Sequence, residues 1–204
     1  MTPDELTIRK NAMRHLAHRI GAVFYEKDTA GILDLAGDLY RFRTAYRKSI
    51  SNVIAIDRLW GKLYVMDLEF AESRANIFNR KRQTICFISS RQLGLPEFRI
   101  FPRSFFQKII GFFSPPNDGI TDSERFNRNY QVKTDNESLL KMFLDKDVAR
   151  YIGGKTGFHL EGVGFYLLIY NDNPALEGKM LGAFLEDCLM IGHLMAESGK
   201  MSFK

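Results

Sequence analysis

The chain has little cysteine, few prolines and no long apolar run. Its 204 residues hold two cysteines, six prolines and one tryptophan. Two cysteines cannot build a disulfide framework. Cys86 lies in an apolar strand-like stretch and Cys188 in an apolar helix-like one, so both read as buried, reduced thiols. The longest apolar stretch, Val163 to Tyr170, is of strand length, well short of the ~18–20 residues that span a bilayer. The first residues, MTPDELTIRK, form an acidic helix start where a signal peptide would carry an apolar core. The expected compartment is the cytoplasm, with a peripheral position at a membrane left open.

Chemical motifs are equally scarce. There is no GxSxG, HExxH, CxxC or GxGxxG. Gly153-Gly154-Lys155-Thr156-Gly157 contains a GKT, but a phosphate loop needs a glycine where Ala149 stands, and needs a strand before it and a helix after it. The order here is helix, then strand, so the segment reads as a glycine-rich turn. His15 and His18 lie three apart on a helix flanked by Arg14 and Arg19, with no third ligand nearby, and read as a solvated face. His159 and His193 are isolated in sequence. No catalytic, cofactor-binding or metal-ligating residue is picked out, and no cofactor is expected.

What is present is material for a core. Hydrophobic residues make up 45% of the chain, and 17 of them are Phe, enough to rule out extended disorder. Net charge is +5, unevenly placed: the first 110 residues carry +8 and the remainder −3. A basic half can attract phosphates of nucleic acid or lipid, although basic residues also solvate the outer faces of strands.

Periodicity assigns the elements. Thr2-Pro3-Asp4-Glu5 is a capping box opening a helix, with Leu6, Met13, Leu16, Ala17 and Ile20 inward and Arg9, Lys10, Arg14, His18 and Arg19 on the remaining positions. Residues 28–39 read as a short helix or irregular packing. Strands are predicted at Tyr40–Tyr46, Asn52–Asp57 and Lys62–Phe70, the last two joined by a hairpin at Arg58-Leu59-Trp60-Gly61. Gln83–Ser89 pairs with the third strand in a longer hairpin, and Phe98–Phe101 is a short strand. Residues 103–113 read as an apolar-rich helix, followed by a Pro/Gly loop near 114–119. Then come a strand at Asn129–Lys133, a helix capped by Thr134, a further helix capped by Asp145, and strands Phe158–Glu161 and Phe165–Tyr170. A last helix starts at Asn173-Pro174 and turns Met180, Phe184, Cys188, Ile191 and Met195 inward. The expectation is one α+β domain over residues 1–204: a mainly antiparallel sheet, an N-terminal helix, short central helices and a long C-terminal helix.

Several of these segments together resemble a known group. They are Asn52-Val53 before a glycine hairpin, Tyr64 to Phe70, Arg82-Gln83-Thr84, Leu95-Pro96-Glu97-Phe98 followed by Pro102, Phe126 to Val132 with Asp135, the helices from Leu139 to Ile152, and Glu161-Gly162 before an apolar strand. Over roughly residues 20–195 this resembles the soluble domain of uncharacterised bacterial membrane proteins, where the domain accompanies transmembrane helices. The resemblance implies no catalytic or binding residue, and the present sequence departs from the group in having no transmembrane helix.

Three functional readings follow. The first is a non-enzymatic module binding an unidentified protein partner, near a membrane, through Phe105, Phe106, Ile109, Phe112 and Phe113 or through the basic half; oligomeric state is open. The second is an enzyme or small-ligand binder whose site assembles from residues distant in sequence, with Asp67, Glu69 and nearby arginines as candidates. The third, least favoured, is nucleic-acid binding through Arg41, Arg43 and Arg47, with Arg80, Lys81 and Arg82, all of which could hold an anion. Nucleic-acid binding predicts salt-sensitive retention on heparin that is lost when Arg80, Lys81 and Arg82 are changed to Ala; retention that survives the change counts against it.

Overall fold

The computed structural model describes residues 2–75, 78–103, 120–173 and 175–202. The apolar-rich segment with Phe105, Phe106, Ile109, Phe112 and Phe113, and the loop near 114–119, lie outside the described residues.

Helix α1 spans Pro3–Arg19 and opens as expected. The Thr2 hydroxyl accepts from the Glu5 backbone N–H at 3.3 Å, and the Glu5 carboxylate accepts from Thr2 N–H at 2.8 Å. Then follow β1 (Val23–Lys27), α2 (Ile32–Leu35), α3 (Tyr40–Thr44), β2 (Tyr46–Arg58), β3 (Gly61–Ala71), β4 (Lys81–Ser89) and β5 (Leu95–Pro102). Next are α4 (Glu124–Asn129), β6 (Tyr130–Thr134), α5 (Glu137–Phe143), α6 (Lys146–Gly153), β7 (Phe158–Gly164), β8 (Tyr166–Asn171) and α7 (Gly178–Ser202). The strands form one eight-stranded sheet in the order β1-β2-β3-β4-β8-β7-β5-β6, and each neighbouring pair is antiparallel. This is the expected α+β architecture, with strands from both sides of the Pro/Gly loop in the same sheet.

Both faces of the sheet are covered, which explains the apolar runs along its middle strands. On β3, Leu63 and Val65 join a cluster with Met13, Leu16 and Ala17 of α1 and Phe184, Cys188, Ile191 and Met195 of α7. Met66, Leu68 and Phe70 face the other way, into a cluster with Ile32, Ala36, Leu39 and Phe42. Gly192 lets α7 lie close: a Cβ there would sit 2.6 Å from the Trp60 ring and 2.8 Å from Ile88. Cys86 and Cys188 are both free and buried.

The differences from expectation have local causes. Tyr40–Tyr46 is not a strand: residues 40–44 form α3, burying Leu39 and Phe42 at helical spacing, and the strand starts only at Tyr46. The edge strand β1, mostly exposed, has too little alternation to be seen in sequence. Thr134 does not cap α5, because it stays in β6 and its hydroxyl donates to the Glu97 carbonyl at 3.0 Å; Asn136 takes the cap, accepting from Leu139 N–H at 2.9 Å. The last helix begins at Gly178, not at Asn173, and Met180 is exposed rather than inward. On α1 the inward face is narrower than expected: Leu6 and Ile20 are exposed, while Arg9 is buried.

Arg9 is buried because Asp67 is. Asp67 has no exposed surface, and Arg9 donates Nε to its Oδ2 at 2.9 Å and Nη2 to its Oδ1 at 2.7 Å. Asn52 donates to the same Oδ2 at 2.9 Å, from a backbone position at φ 54° beside a register shift in β2. Arg9 Nη2 also donates to Thr84 Oγ1 at 2.9 Å, and Nη1 donates to the Leu176 carbonyl. The Leu176 N–H donates to Thr84 Oγ1 at 2.8 Å. These bonds hold the segment at Leu176, just ahead of α7, against β4 and α1. A buried pair with one member removed leaves an uncompensated charge. Asp67→Ala is therefore expected to lower unfolding stability in urea by about 3–5 kcal/mol. The double variant Arg9→Met/Asp67→Leu should recover part of that loss, since no charge is then left in the core.

Candidate functional site

The pocket of interest lies where α3 crosses one end of the sheet. β7 reads Phe158-His159-Leu160-Glu161, and its two polar members share the face opposite the main core, while Phe158 and Leu160 enter that core. Register then sets their neighbours: His159 is opposite Tyr170 of β8, and Glu161 is opposite Leu168 on one side and Arg99 of β5 on the other. Above them α3 delivers Arg41. The cavity, about 470 Å³, is lined by Arg41, Phe70, Glu72, Lys81, Arg82, Gln83, His159, Tyr170, Asp172 and Asn173.

A web of contacts holds these groups. The Arg41 guanidinium lies 4.1 Å from the Phe70 ring centre and 5.2 Å from that of Tyr170. Its Nη2 donates to Gln83 Oε1 at 2.7 Å, and Gln83 Nε2 donates to the Asn171 carbonyl at 2.6 Å. Its backbone N–H donates to Glu161 Oε2 at 2.8 Å, and the Tyr170 hydroxyl donates to Oε1 at 2.7 Å. His159 stacks on Tyr170 with ring centres 4.8 Å apart, and its Nε2 lies 2.7 Å from Asp172 Oδ1. Arg41 Nε is buried without an acceptor.

Burial dominates the titration of this group. It pushes the Glu161 carboxyl above its usual 4.5, against the Arg41 N–H, the Tyr170 hydroxyl and the charges of Arg99 and Arg41. It pushes Tyr170 well above 10.0, with the Glu161 charge adding to the effect. It pulls His159 below 6.5; Asp172 opposes this, and Arg41 and Arg99 reinforce it.

Of the six anion-binding candidates, the structure gathers Arg41, Lys81 and Arg82 around this cavity. The others lie apart from it. Arg43 bridges to Glu97 at 2.5 Å, and Arg80 reaches Glu69 at 3.7 Å. Arg47 sits at the start of β2 with φ 46°. Lys81 bridges to Glu72 at 2.7 Å, and Arg82 Nε donates to Glu69 Oε1 at 3.0 Å. Asp67 and Glu69 share a strand face but serve different partners, Arg9 and Arg82. The GKT segment is a helix-to-strand turn in which Lys155 pairs with Asp187 at 2.5 Å.

Glu161, Tyr170, Gln83 and Asp172 were missed in the sequence as site residues, and His159 was set aside as isolated. The available signal was slight: two polar residues alternating through an apolar strand, beside a tyrosine in another. Among the described residues no group of three or more His, Cys, Asp or Glu is placed to hold a metal ion, and no helix is long and apolar enough to cross a membrane.

No protein-family model matches the chain, and no curated protein does. One solved structure is similar, described as the crystal structure of the mycobacterial trehalose monomycolate transport factor A, TtfA. It aligns at a TM-score of 0.60 over 93% of each chain, with 9% identity. At that identity the likeness is one of fold. It adds no residue-level correspondence.

The two buried ionisable groups should leave opposite pH signatures. Below 6.5 the unfolded chain binds a proton at His159 that the folded chain resists, so the wild type loses stability as pH falls toward the depressed value. Above 4.5 the folded chain keeps a proton on Glu161 that the unfolded chain releases, so stability present below 4.5 is lost as pH rises through the raised value. In urea unfolding between about pH 4 and about pH 7.5, His159→Gln should gain relative to wild type as pH falls. Glu161→Gln should gain relative to wild type as pH rises. Parallel curves would show that neither side chain titrates abnormally.

Proposed function

We propose that this chain is a non-enzymatic binding module, cytoplasmic and working beside a membrane, whose ligand enters the cavity under Arg41. The observation that carries this reading is the cavity itself: a pocket of charged, polar and aromatic side chains assembled from α3, β3 and Glu72 just after it, β4, β7, β8 and the segment after β8. Its size falls in the range of small-molecule sites. The tied state of its groups supports binding over turnover. Glu161 is held by Tyr170 and Arg41, and His159 is placed against Asp172, so these groups are engaged with one another. The protein with the similar fold is a transport factor, which is compatible with a module that acts by binding.

A protein partner is the second reading. It is favoured by a groove of about 390 Å³ lined by Arg58, Trp60, Glu186, Leu189, Met190 and His193. Beside it, at the hairpin tip, Leu59 is fully exposed at 105%.

Adding a small-molecule extract of cells to isotope-labelled protein should shift the amide signals of Phe70, Gln83, His159, Tyr170 and Asn173. Asp172→Asn should retain the ligand within a few-fold, roughly 1 kcal/mol or less. Shifts confined to Leu59 and α7 would replace this reading with the partner reading. Conversion of the ligand by the wild type, lost in Asp172→Asn, would end the non-enzymatic assignment.

A further inference from the structure

The cavity's chemistry selects among ligands. Three cations line it, Arg41, Lys81 and Arg82, together with the carboxylates of Glu72 and Asp172. Both carboxylates have partners already: Glu72 meets Lys81 at 2.7 Å and Asp172 meets His159 at 2.7 Å. Arg82 is committed to Glu69. Glu161, beneath, accepts from Tyr170 and from the Arg41 backbone, and the Arg99 charge lies beside it in register. Arg41 is the exception. Its Nη2 is taken by Gln83, its Nε–H is buried without an acceptor, and its Nη1 donates to no described residue. A guanidinium packed against two rings, with two of its three nitrogens lacking an acceptor, retains donor capacity for a tetrahedral oxyanion. The Lys81–Glu72 bridge is half-exposed on both sides. Such a bridge is weak, so its ammonium can be shared with an incoming anion.

We propose that the pocket is a phosphate site, in which Arg41 receives the phosphate of a small phosphate ester and Lys81 assists at the mouth. This rests on the binding-module reading and names its ligand class. Phosphate alone fills a small part of the 470 Å³, so the space beside the rings of Phe70 and Tyr170 is left for the organic part of the ester. The same chemistry is offered by a soluble ester and by the headgroup of an anionic phospholipid.

The test uses the full chain with glycerol 3-phosphate, inorganic phosphate, and vesicles of phosphatidylcholine with and without phosphatidylglycerol. Glycerol 3-phosphate should bind, and Arg41→Lys, which keeps the charge but loses the fork, should bind it roughly 10-fold more weakly. Arg41→Gln should bind it more weakly still, while Arg43→Gln, away from the cavity, should bind as wild type. Flotation with phosphatidylglycerol vesicles alone, lost in Arg41→Lys, assigns the phosphate to a lipid and supports the proposal. Binding of soluble ester without flotation assigns it to a metabolite, and also supports it. Should the variants fold poorly, the Arg41 side-chain N–H signal of the wild type decides: it moves on adding the ester if the proposal is right. Equal binding by wild type and Arg41→Lys, an unmoved Arg41 signal, or no binding of any probe overturns the phosphate assignment. Pocket amides that respond equally to uncharged glycerol and to its phosphate would also overturn it, and would leave the binding-module reading standing.

Discussion

Five parts of the chain meet around one buried carboxylate. Asp67 on β3 is fully buried and is gripped by Arg9 from α1 and Asn52 from β2. Through Arg9 and Thr84 the same node holds the segment at Leu176, ahead of α7. A buried ion pair is rarely a net source of stability, because desolvation offsets its attraction. Its effect is on specificity: once Asp67 is inside, only an arrangement that brings Arg9 and Asn52 to it avoids a stranded charge. α1, the register-shifted part of β2 and the segment ahead of α7 all contact this node.

The sheet that results has two unlike coverings. On one face α1, α4, α5, α6 and α7 close over a large continuous core. On the other, two short helices cover a smaller cluster, and beyond it the strand ends carry polar groups. The cavity occurs at this margin, where α3 reaches over β7 and β8. Apolar cover there is too thin to exclude polar side chains, yet thick enough to desolvate them. His159, Glu161 and Tyr170 are consequently shifted in the directions that burial dictates. The pocket is thus a product of where the second layer stops.

Legibility in the sequence followed the range of the interaction. The Thr2–Glu5 box, the Asp145 cap, the β2–β3 and β3–β4 hairpins and the β7–β8 pair could be read because each depends on neighbours in the chain. Misreadings arose where a distant partner overrode the local signal. Arg9 looked like part of a wet helix face until Asp67 was seen to need a cation. Thr134 had the right spacing for a cap, yet its hydroxyl was claimed by the Glu97 carbonyl of β5. Arg41 and Arg43 mimicked a strand's alternation while Leu39 and Phe42 were setting a helical turn. Of the residues around the cavity, Arg41, Lys81 and Arg82 stand out in the sequence by their charge, whereas His159 has no chemical neighbour within reach along the chain.

The sequence by itself determined the class of the fold, the Thr2–Glu5 and Asp145 caps and the hairpins, because these depend on composition and on contacts a few residues long. The tertiary structure alone decided the strand order, the burial of Arg9 against Asp67, and the meeting of Arg41, Gln83, His159 and Tyr170 around one cavity with Glu161 tied to two of them. Those residues come from segments far apart in the chain. Their protonation and pairing depend on a low-dielectric setting that exists only once the sheet has closed around them.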